Sequence, residues 1–235
     1  MEKINLSILE KMPLLDLEVV LEIEPLAPLS MVSELPGSYY KTLKSPDKKM
    51  LCGLFENILG WHICLIDRNM IVQELIKTRK KQNLDYIKNV KGSTFTPLLM
   101  EYFEINLKVI PSSLFFDDLW SKAYRRADAI VHPKGTFNIS YNIIPSKREL
   151  QRNEKNPKQI EDKAMEKFFK NNLGQFPQYY SSPTGREYVQ LNGRYQYKLT
   201  IDTELFTLLQ EKLKCENIGY IGNSEGWVDI KLRKL

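Results

Sequence analysis

The chain has 235 residues, of which 43% are hydrophobic and 27% charged, with 11 glycines and 12 prolines. This composition is typical of a folded soluble protein and excludes a disordered, collagenous or disulfide-stapled chain. The three cysteines form no CxxC pair and leave an odd thiol, which favours a reducing cytoplasm without a structural zinc site. No apolar run is as long as a membrane-spanning helix and the N-terminus does not resemble a signal peptide, so we expect a cytoplasmic protein without membrane contact.

Charge is distributed unevenly along the chain, whose net charge is +5. Residues 1–34 carry a net charge of −5 and the remaining residues a net charge of +10. A basic body of this kind permits the binding of a polyanion such as a nucleic acid, although many basic proteins bind none.

The first predicted elements are a strand and a helix. Apolar and mostly acidic residues alternate over residues 17–24, and this period of two predicts a half-buried strand. A core helix over residues 46–59 follows, with Ser45 as its predicted N-cap and Pro46 at its first helical position. Gly60 stands where a left-handed residue ends such a helix.

Five further elements are predicted between this helix and Gly174, from the spacing of apolar residues and from the Pro and Gly residues around them. They are a helix at 63–81, a strand at 103–110, a helix at 115–127, a strand at 136–144 and a helix from about 160 to 174.

The clearest local signal is the Asn192-Gly193 turn within residues 187–201. It predicts a two-residue β-hairpin, because a type I′ turn needs positive φ at both positions. A loop of this length would pair Tyr188 with Tyr197 across the two strands.

The chain ends with a helix that Asp202 caps and with strands at 218–221 and 228–232. The resulting order of elements predicts an α+β fold, a ferredoxin-like βαββαβ sandwich in which two helices cover one face of an antiparallel sheet. We therefore expect one domain over residues 1–235, with a large insertion within about 85–180.

The most informative candidate site precedes the first core helix. It contains two tyrosines and four lysines, namely Tyr39, Tyr40, Lys41, Lys44, Lys48 and Lys49. They converge on a helix N-terminus, whose free N–H groups and dipole favour phosphate. Tyrosine stacks on unpaired bases and lysine neutralises the backbone around them. The alternative is a solvated loop whose tyrosines fold back onto the core.

Other residue patterns are less specific. Arg125 and Arg126 follow an aromatic-rich stretch and form either a phosphate clamp or a surface pair. His62 and His132 are the only histidines, and their positions at a helix end and in a turn explain both without catalysis. The sequence contains no P-loop, dinucleotide fingerprint or HExxH motif, so we expect no cofactor and no metal.

One block runs from Ser30–Ser33 into Met50–His62, and four later blocks are Phe116–Trp120, Phe176–Pro183, Arg186–Val189 and Gly219–Val228. Together these blocks resemble the Cas-five family, the CRISPR-associated RAMP subunit of type I Cascade complexes. The first block is similar to the first helix of that family, and the later blocks are similar to those of its type I-B branch.

The resemblance implies a ferredoxin-like RAMP fold with an inserted hairpin or thumb. It implies a non-catalytic subunit that binds the five-prime handle of the CRISPR RNA and caps a filament of Cas-seven-type backbone subunits, next to a Cas-eight-type large subunit. It also allows contact with target DNA near the PAM. The RNA-binding residues that it supports are those of the Tyr39–Lys49 segment, together with Arg125, Arg126, Lys134 and Arg186.

A metal-independent endoribonuclease that processes precursor CRISPR RNA is the alternative. In the type I-C branch, processing uses a tyrosine just after a Gly-x-x-Glu-x-Ile motif, with a Lys-His pair further on. Here the motif spans Gly53–Ile58 and is followed by Leu59 instead of a tyrosine. The chain also has no Lys-His dipeptide, so we expect no catalytic residues. In the alternative, Tyr40, His62 or His132 would act with a lysine as general acid and base. A protein-only scaffold with a basic surface is a third reading.

Overall fold

The computed structural model describes residues 4–34, 39–82, 84, 95–125, 167, 170–172, 174, 179–222 and 225–235. The chain divides into two compact units, one formed by residues 1–118 and 186–235 and the other by residues 119–185. The first unit contains the five-stranded sheet and the helices that pack on it.

The described residues form three α-helices, nine strands and a short 3₁₀ helix at Ser7–Glu10. The helices are α1 (Lys48–Ile58), α2 (Leu65–Lys81) and α3 (Thr203–Leu213). The strands are β1 (Leu15–Pro25), β2 (Val32–Glu34), β3 (Lys41–Thr42), β4 (Phe103–Val109), β5 (Ser113–Arg125), β6 (Tyr179–Leu191), β7 (Tyr195–Asp202), β8 (Ile218–Tyr220) and β9 (Trp227–Lys234).

The five-stranded sheet has the order β4-β7-β1-β9-β8, and every neighbouring pair is antiparallel. Without the edge strand β8, this is the order of a ferredoxin-like sheet, in which each βαβ unit leaves room for a strand of the other unit. β2 and β3 form a small second sheet, and β5 pairs with β6 in a third. The predicted α+β, ferredoxin-like fold is confirmed.

One face of the five-stranded sheet forms the core. Its central strand buries Val19, Leu21 and Ile23 completely, as the alternation over residues 17–24 predicts. α1 and α3 contact each other, and α3 also contacts β1, β7 and β9, so the predicted packing of both helices on one face is confirmed. The helical side chains of this core are Leu51, Leu54, Phe55, Leu205, Phe206 and Leu209.

The predicted N-cap of α1 is wrong by two residues. Asp47 caps the helix, and its side chain accepts a hydrogen bond from the Met50 N–H at 2.8 Å. Ser45 is buried before the helix, where its hydroxyl accepts from Lys108 instead. At the other end of the helix, Gly60 has a φ of 73°, as predicted.

The predicted hairpin at Asn192-Gly193 is also wrong. β6 pairs with β5, whereas β7 lies between β1 and β4, so Tyr197 stands opposite Leu21 rather than Tyr188. Gly193 has a φ of 123°, and the chain passes there from one sheet to another. Burial overrides the local turn signal, because pairing with β1 and β4 lets β7 bury the alternate side chains Tyr195, Tyr197, Leu199 and Ile201 in the core.

The helix predicted at 115–127 is a strand up to Arg125. Phe115 packs against the core, and its neighbour Phe116 stacks on Tyr188 of β6, with ring centroids 5.7 Å apart and planes 17° apart. In a strand, consecutive side chains point to opposite faces. The aromatic pair of Phe116 and Tyr188 stabilises the pairing of β5 with β6.

The other predicted elements have mixed outcomes. The helix at 63–81 and the strand at 103–110 are confirmed as α2 and β4, and the C-terminal helix and strands as α3, β8 and β9. The strand predicted at 136–144 lies outside the described residues, as does most of the helix predicted at about 160–174. No described helix is long and apolar enough to cross a membrane.

A buried ion pair joins α1 to α2. The guanidinium of Arg68 donates to Glu56, and both side chains are at most 6% exposed. Glu56 also accepts from the Leu98 N–H at 2.6 Å, and Arg68 donates to the Thr96 carbonyl at 3.1 Å. Burial raises the pKa of Glu56, and the charge of Arg68 opposes this effect. The pair therefore holds two helices and the chain before β4 together.

We expect Glu56→Gln to lower the free energy of unfolding by about 3–5 kcal/mol, because it leaves the charge of Arg68 buried without its partner. The same substitution in the exposed Glu74–Lys77 pair is the matched control. Glu74→Gln should change stability by at most about 0.5 kcal/mol. Urea unfolding of both variants measures the difference, and equal losses would contradict the structural role of the buried pair.

Candidate nucleic-acid interface

The residues between β2 and α1, here called the entry segment (residues 39–47), are attached to β6. Tyr40 forms a β-bridge with Arg186, and its carbonyl accepts a hydrogen bond from the Glu187 N–H at 2.9 Å. The Glu187 carboxylate in turn accepts from the Thr42 N–H at 2.9 Å. β6 therefore holds the first half of the entry segment through both its backbone and a side chain.

The opposite side of the same residues is attached to the chain before β2. The Thr42 hydroxyl accepts from the Met31 N–H at 2.8 Å, and the Leu43 N–H donates to the Met31 carbonyl at 2.9 Å. Gly222 lies against this chain, where a Cβ would stand 2.5 Å from the Ser30 carbonyl oxygen. Only glycine fits this close approach, and Gly222 also has a φ of 83°, which other residues rarely adopt.

Two tyrosines of β7 hold the second half of the entry segment. The hydroxyl of Tyr195 donates to the Lys44 carbonyl and that of Tyr197 to the Pro46 carbonyl, both at 2.9 Å. Both residues are completely buried, and burial raises their pKa values. Sequence reasoning missed this role because it assigned Tyr197 to a hairpin. The Tyr-x-Tyr spacing in a strand places both rings on one face, and this spacing is the sequence signal for their shared role.

Tyr39 is bound to β5 by its hydroxyl, which donates to the carboxylate of Asp117. This hydrogen bond, with burial and the charges of Glu187 and Asp117, raises the pKa of Tyr39 to about 12. Asp117 was not among the predicted site residues. The phenol of Tyr39 is therefore committed to a protein acceptor.

Tyr40 differs from its neighbour in the environment of its ring. The guanidinium carbon of Arg186 lies 4.7 Å from the centre of the Tyr40 ring, within the range of a cation–π contact. Arg186 is only 7% exposed, whereas Tyr40 is half-buried. The structure thus brings Arg186 together with Tyr40, whereas Tyr39 contacts Asp117.

The four lysines of the predicted site lie in different environments. Lys41 and Lys44 are exposed to solvent. Lys48 forms an ion pair with Glu104 at 2.7 Å, with its side chain 21% exposed. Lys49 is buried, and its burial lowers its pKa. Lys41 and Lys44 form no ion pair with an acidic side chain among the described residues, so they are the lysines best placed to meet an anion.

The remaining candidates are less defined. Arg125 is the last residue of β5 and its side chain is not described, whereas Arg126, Lys134 and His132 lie outside the described residues. His62 is exposed, after the end of α1. Within the described part of the chain, no group of His, Cys, Asp or Glu side chains is arranged to hold a metal ion.

We expect Tyr39 to titrate near pH 12 rather than near 10. Because its folded pKa is raised, the stabilisation from the Asp117 hydrogen bond is complete below about pH 10 and is lost as the pH rises through 12. ¹³C NMR of Cζ-labelled tyrosine measures the midpoint, and Tyr39→Phe assigns the signal. Asp117→Asn should return the midpoint towards 10, and an unchanged midpoint would show that the carboxylate is not the cause.

Comparison with known proteins gives one family. The family model of CRISPR-associated protein Cas5p matches residues 4–232. No curated protein and no solved structure matches the chain significantly. The match covers nearly the whole chain and agrees with the ferredoxin-like sheet described above, while the type I-B branch stays a prediction. The chain therefore belongs to the Cas5p family of CRISPR-associated proteins, the Cas-five family of subunits of Cascade-type complexes.

Proposed function

We propose that the protein is a non-catalytic RNA-binding subunit that holds the five-prime handle of the CRISPR RNA. The observation that carries this proposal is the entry segment, in which exposed Lys41 and Lys44 accompany the half-buried ring of Tyr40. Single-stranded RNA is bound through its phosphates by basic side chains and through its splayed bases by aromatic rings. The entry segment offers both on one short stretch of backbone.

The attachment of the entry segment on both sides supports the same function. A loop that is already ordered loses little conformational entropy when it binds a ligand. The hydrogen bonds from Tyr195, Tyr197 and Glu187 give the entry segment this order in the free protein. A flexible single strand would then adapt to a rigid protein surface.

The lysines do not contribute equally to the proposed site. To meet a phosphate, Lys48 would have to give up its ion pair with Glu104, and Lys49 would have to leave its buried position. We therefore assign the principal phosphate contacts to Lys41 and Lys44. Arg125, Arg126 and Lys134 remain candidate RNA-binding residues.

The proposed partners follow from the family. They are the handle of the CRISPR RNA, a Cas-seven-type backbone subunit, a Cas-eight-type large subunit and target DNA near the PAM. We further propose one RAMP domain, in which the compact unit of residues 119–185 corresponds to the thumb expected within about 85–180.

Replacing Lys41 and Lys44 together with glutamine should flatten the log–log dependence of RNA affinity on salt by roughly 1.4, since each lysine–phosphate contact on a single strand contributes about 0.7. Fluorescence anisotropy with a labelled repeat RNA over a range of salt concentrations measures this slope.

Lys212→Gln with Lys214→Gln is the matched control, because it removes the same charge from two exposed lysines at the end of α3. The control should leave the slope unchanged. Equal flattening in both double variants would show that only net charge matters, and no flattening in either would place the RNA elsewhere.

The purified 235-residue chain should leave a repeat RNA intact in the presence of EDTA. Metal-independent cleavage needs a general acid and a general base in contact with the RNA. His62 is exposed, and no side-chain hydrogen bond or ion pair joins it to Tyr40 or to a lysine among the described residues. Gel electrophoresis of end-labelled RNA tests this expectation. Specific cleavage that His62→Ala or His132→Ala abolishes would establish the endoribonuclease alternative.

A further inference from the structure

We infer that Tyr40, and not Tyr39, is the residue on which an unpaired base of the RNA stacks, and that Arg186 is the positioning residue for its ring. The inference rests on the proposed function and identifies its base subsite. The two tyrosines are neighbours in the sequence, and only their contacts in the tertiary structure distinguish them.

The ring of Tyr40 is supported on one face. The guanidinium of Arg186 lies 4.7 Å from the ring centre, and the ring remains half-buried rather than enclosed. The backbone of Tyr40 is fixed at the same place by its bridge to Arg186 and by the Glu187 N–H. A base that stacks on the accessible side of the ring would therefore meet an aromatic surface whose orientation is already set.

Arg186 acts through Tyr40 rather than on a phosphate. Its side chain is buried, with 7% of the residue exposed, so the guanidinium is largely shielded from a ligand in solution. The carboxylate of Glu187, the next residue in the chain, accepts a hydrogen bond from the Thr42 N–H. The arrangement allows a continuous stack in which the guanidinium, the phenol ring and a base follow one another.

The environment of Tyr39 disfavours a nucleotide. Its hydroxyl donates to Asp117, whose charge also acts on it. A base on this ring would bring its own phosphate close to this carboxylate, and like charges repel. Glu187 does not distinguish the two rings, because its carboxylate accepts a hydrogen bond from the backbone N–H two residues after Tyr40. Tyr40 is followed directly by exposed Lys41, so a nucleotide there has a cation for its phosphate. Charge therefore selects between the two rings.

The ligand of this subsite is a nucleobase of single-stranded RNA, read by its π-face rather than by its hydrogen-bonding edge. Stacking on a single ring accepts every base. We expect a preference for purines, because their larger ring system covers more of the phenol.

The test uses the 235-residue chain and an RNA of about eight nucleotides from the repeat, with 2-aminopurine placed at each position in turn. Stacking on tyrosine quenches the emission of 2-aminopurine, so one position should be quenched when the wild-type protein binds. Tyr40→Leu should lose that quenching and weaken binding by about 5- to 150-fold at constant salt. Tyr40→Phe keeps the ring and should retain both the quenching and the affinity within about twofold.

Tyr39→Leu is the matched control, since it makes the same change on the adjacent tyrosine. It should keep the quenching at the same position and the affinity within about twofold. The inference is overturned if Tyr39→Leu abolishes the quenching while Tyr40→Leu retains it. Thermal unfolding of each variant confirms that the compared proteins are folded.

Arg186→Gln tests the positioning role. It should weaken the quenching and the affinity without changing the salt slope, and it should add nothing to Tyr40→Leu in the double variant. A slope that falls by about 0.7 would instead make Arg186 a phosphate contact and overturn its positioning role. Failure of the proposed function is distinguishable from failure of the inference, because the wild-type chain would then not bind the RNA at all. RNA that binds without quenching at any position would instead overturn the stacking inference alone.

Discussion

The row of buried side chains on β7 is the constraint on which the rest of the structure depends. It places Tyr195 and Tyr197 on the core face, where the rings contribute apolar area and the hydroxyls need acceptors. The carbonyls of Lys44 and Pro46 are those acceptors. The requirement that a buried hydroxyl be hydrogen-bonded thus ties the centre of the fold to the surface segment that precedes α1.

The opposite face of the sheet explains why the net charge is a poor guide to the interface. There Lys198 pairs with Glu18 at 3.0 Å and Arg194 pairs with Glu22 at 2.9 Å, and Arg194 lowers the pKa of Glu22. Much of the basic charge on this face is therefore matched by the acidic N-terminal strand. The exposed lysines of the entry segment carry charge that remains available to an anion.

Close sequence neighbours in the candidate site have different physical roles. Tyr39 and Tyr40 differ because one hydroxyl has a carboxylate acceptor and the other ring lies against Arg186. Lys48 and Lys49 differ from Lys41 because α1 turns them towards the protein, one to an acidic partner and one into a buried position. Membership of the Cas5p family does not distinguish these residues.

The sequence by itself determined the elements whose signals are local and periodic, such as the alternation of β1, the left-handed Gly60 and the Asp202 cap of α3. It also proposed residues 39–49 as the candidate site, and the entry segment forms most of that stretch. Only the tertiary structure decided that the turn at residues 192–193 joins two sheets and that residues 113–125 form a strand, because pairing with distant strands outweighs local preference. The same holds for the site, since burial and partners far apart in the chain decide which side chains reach solvent.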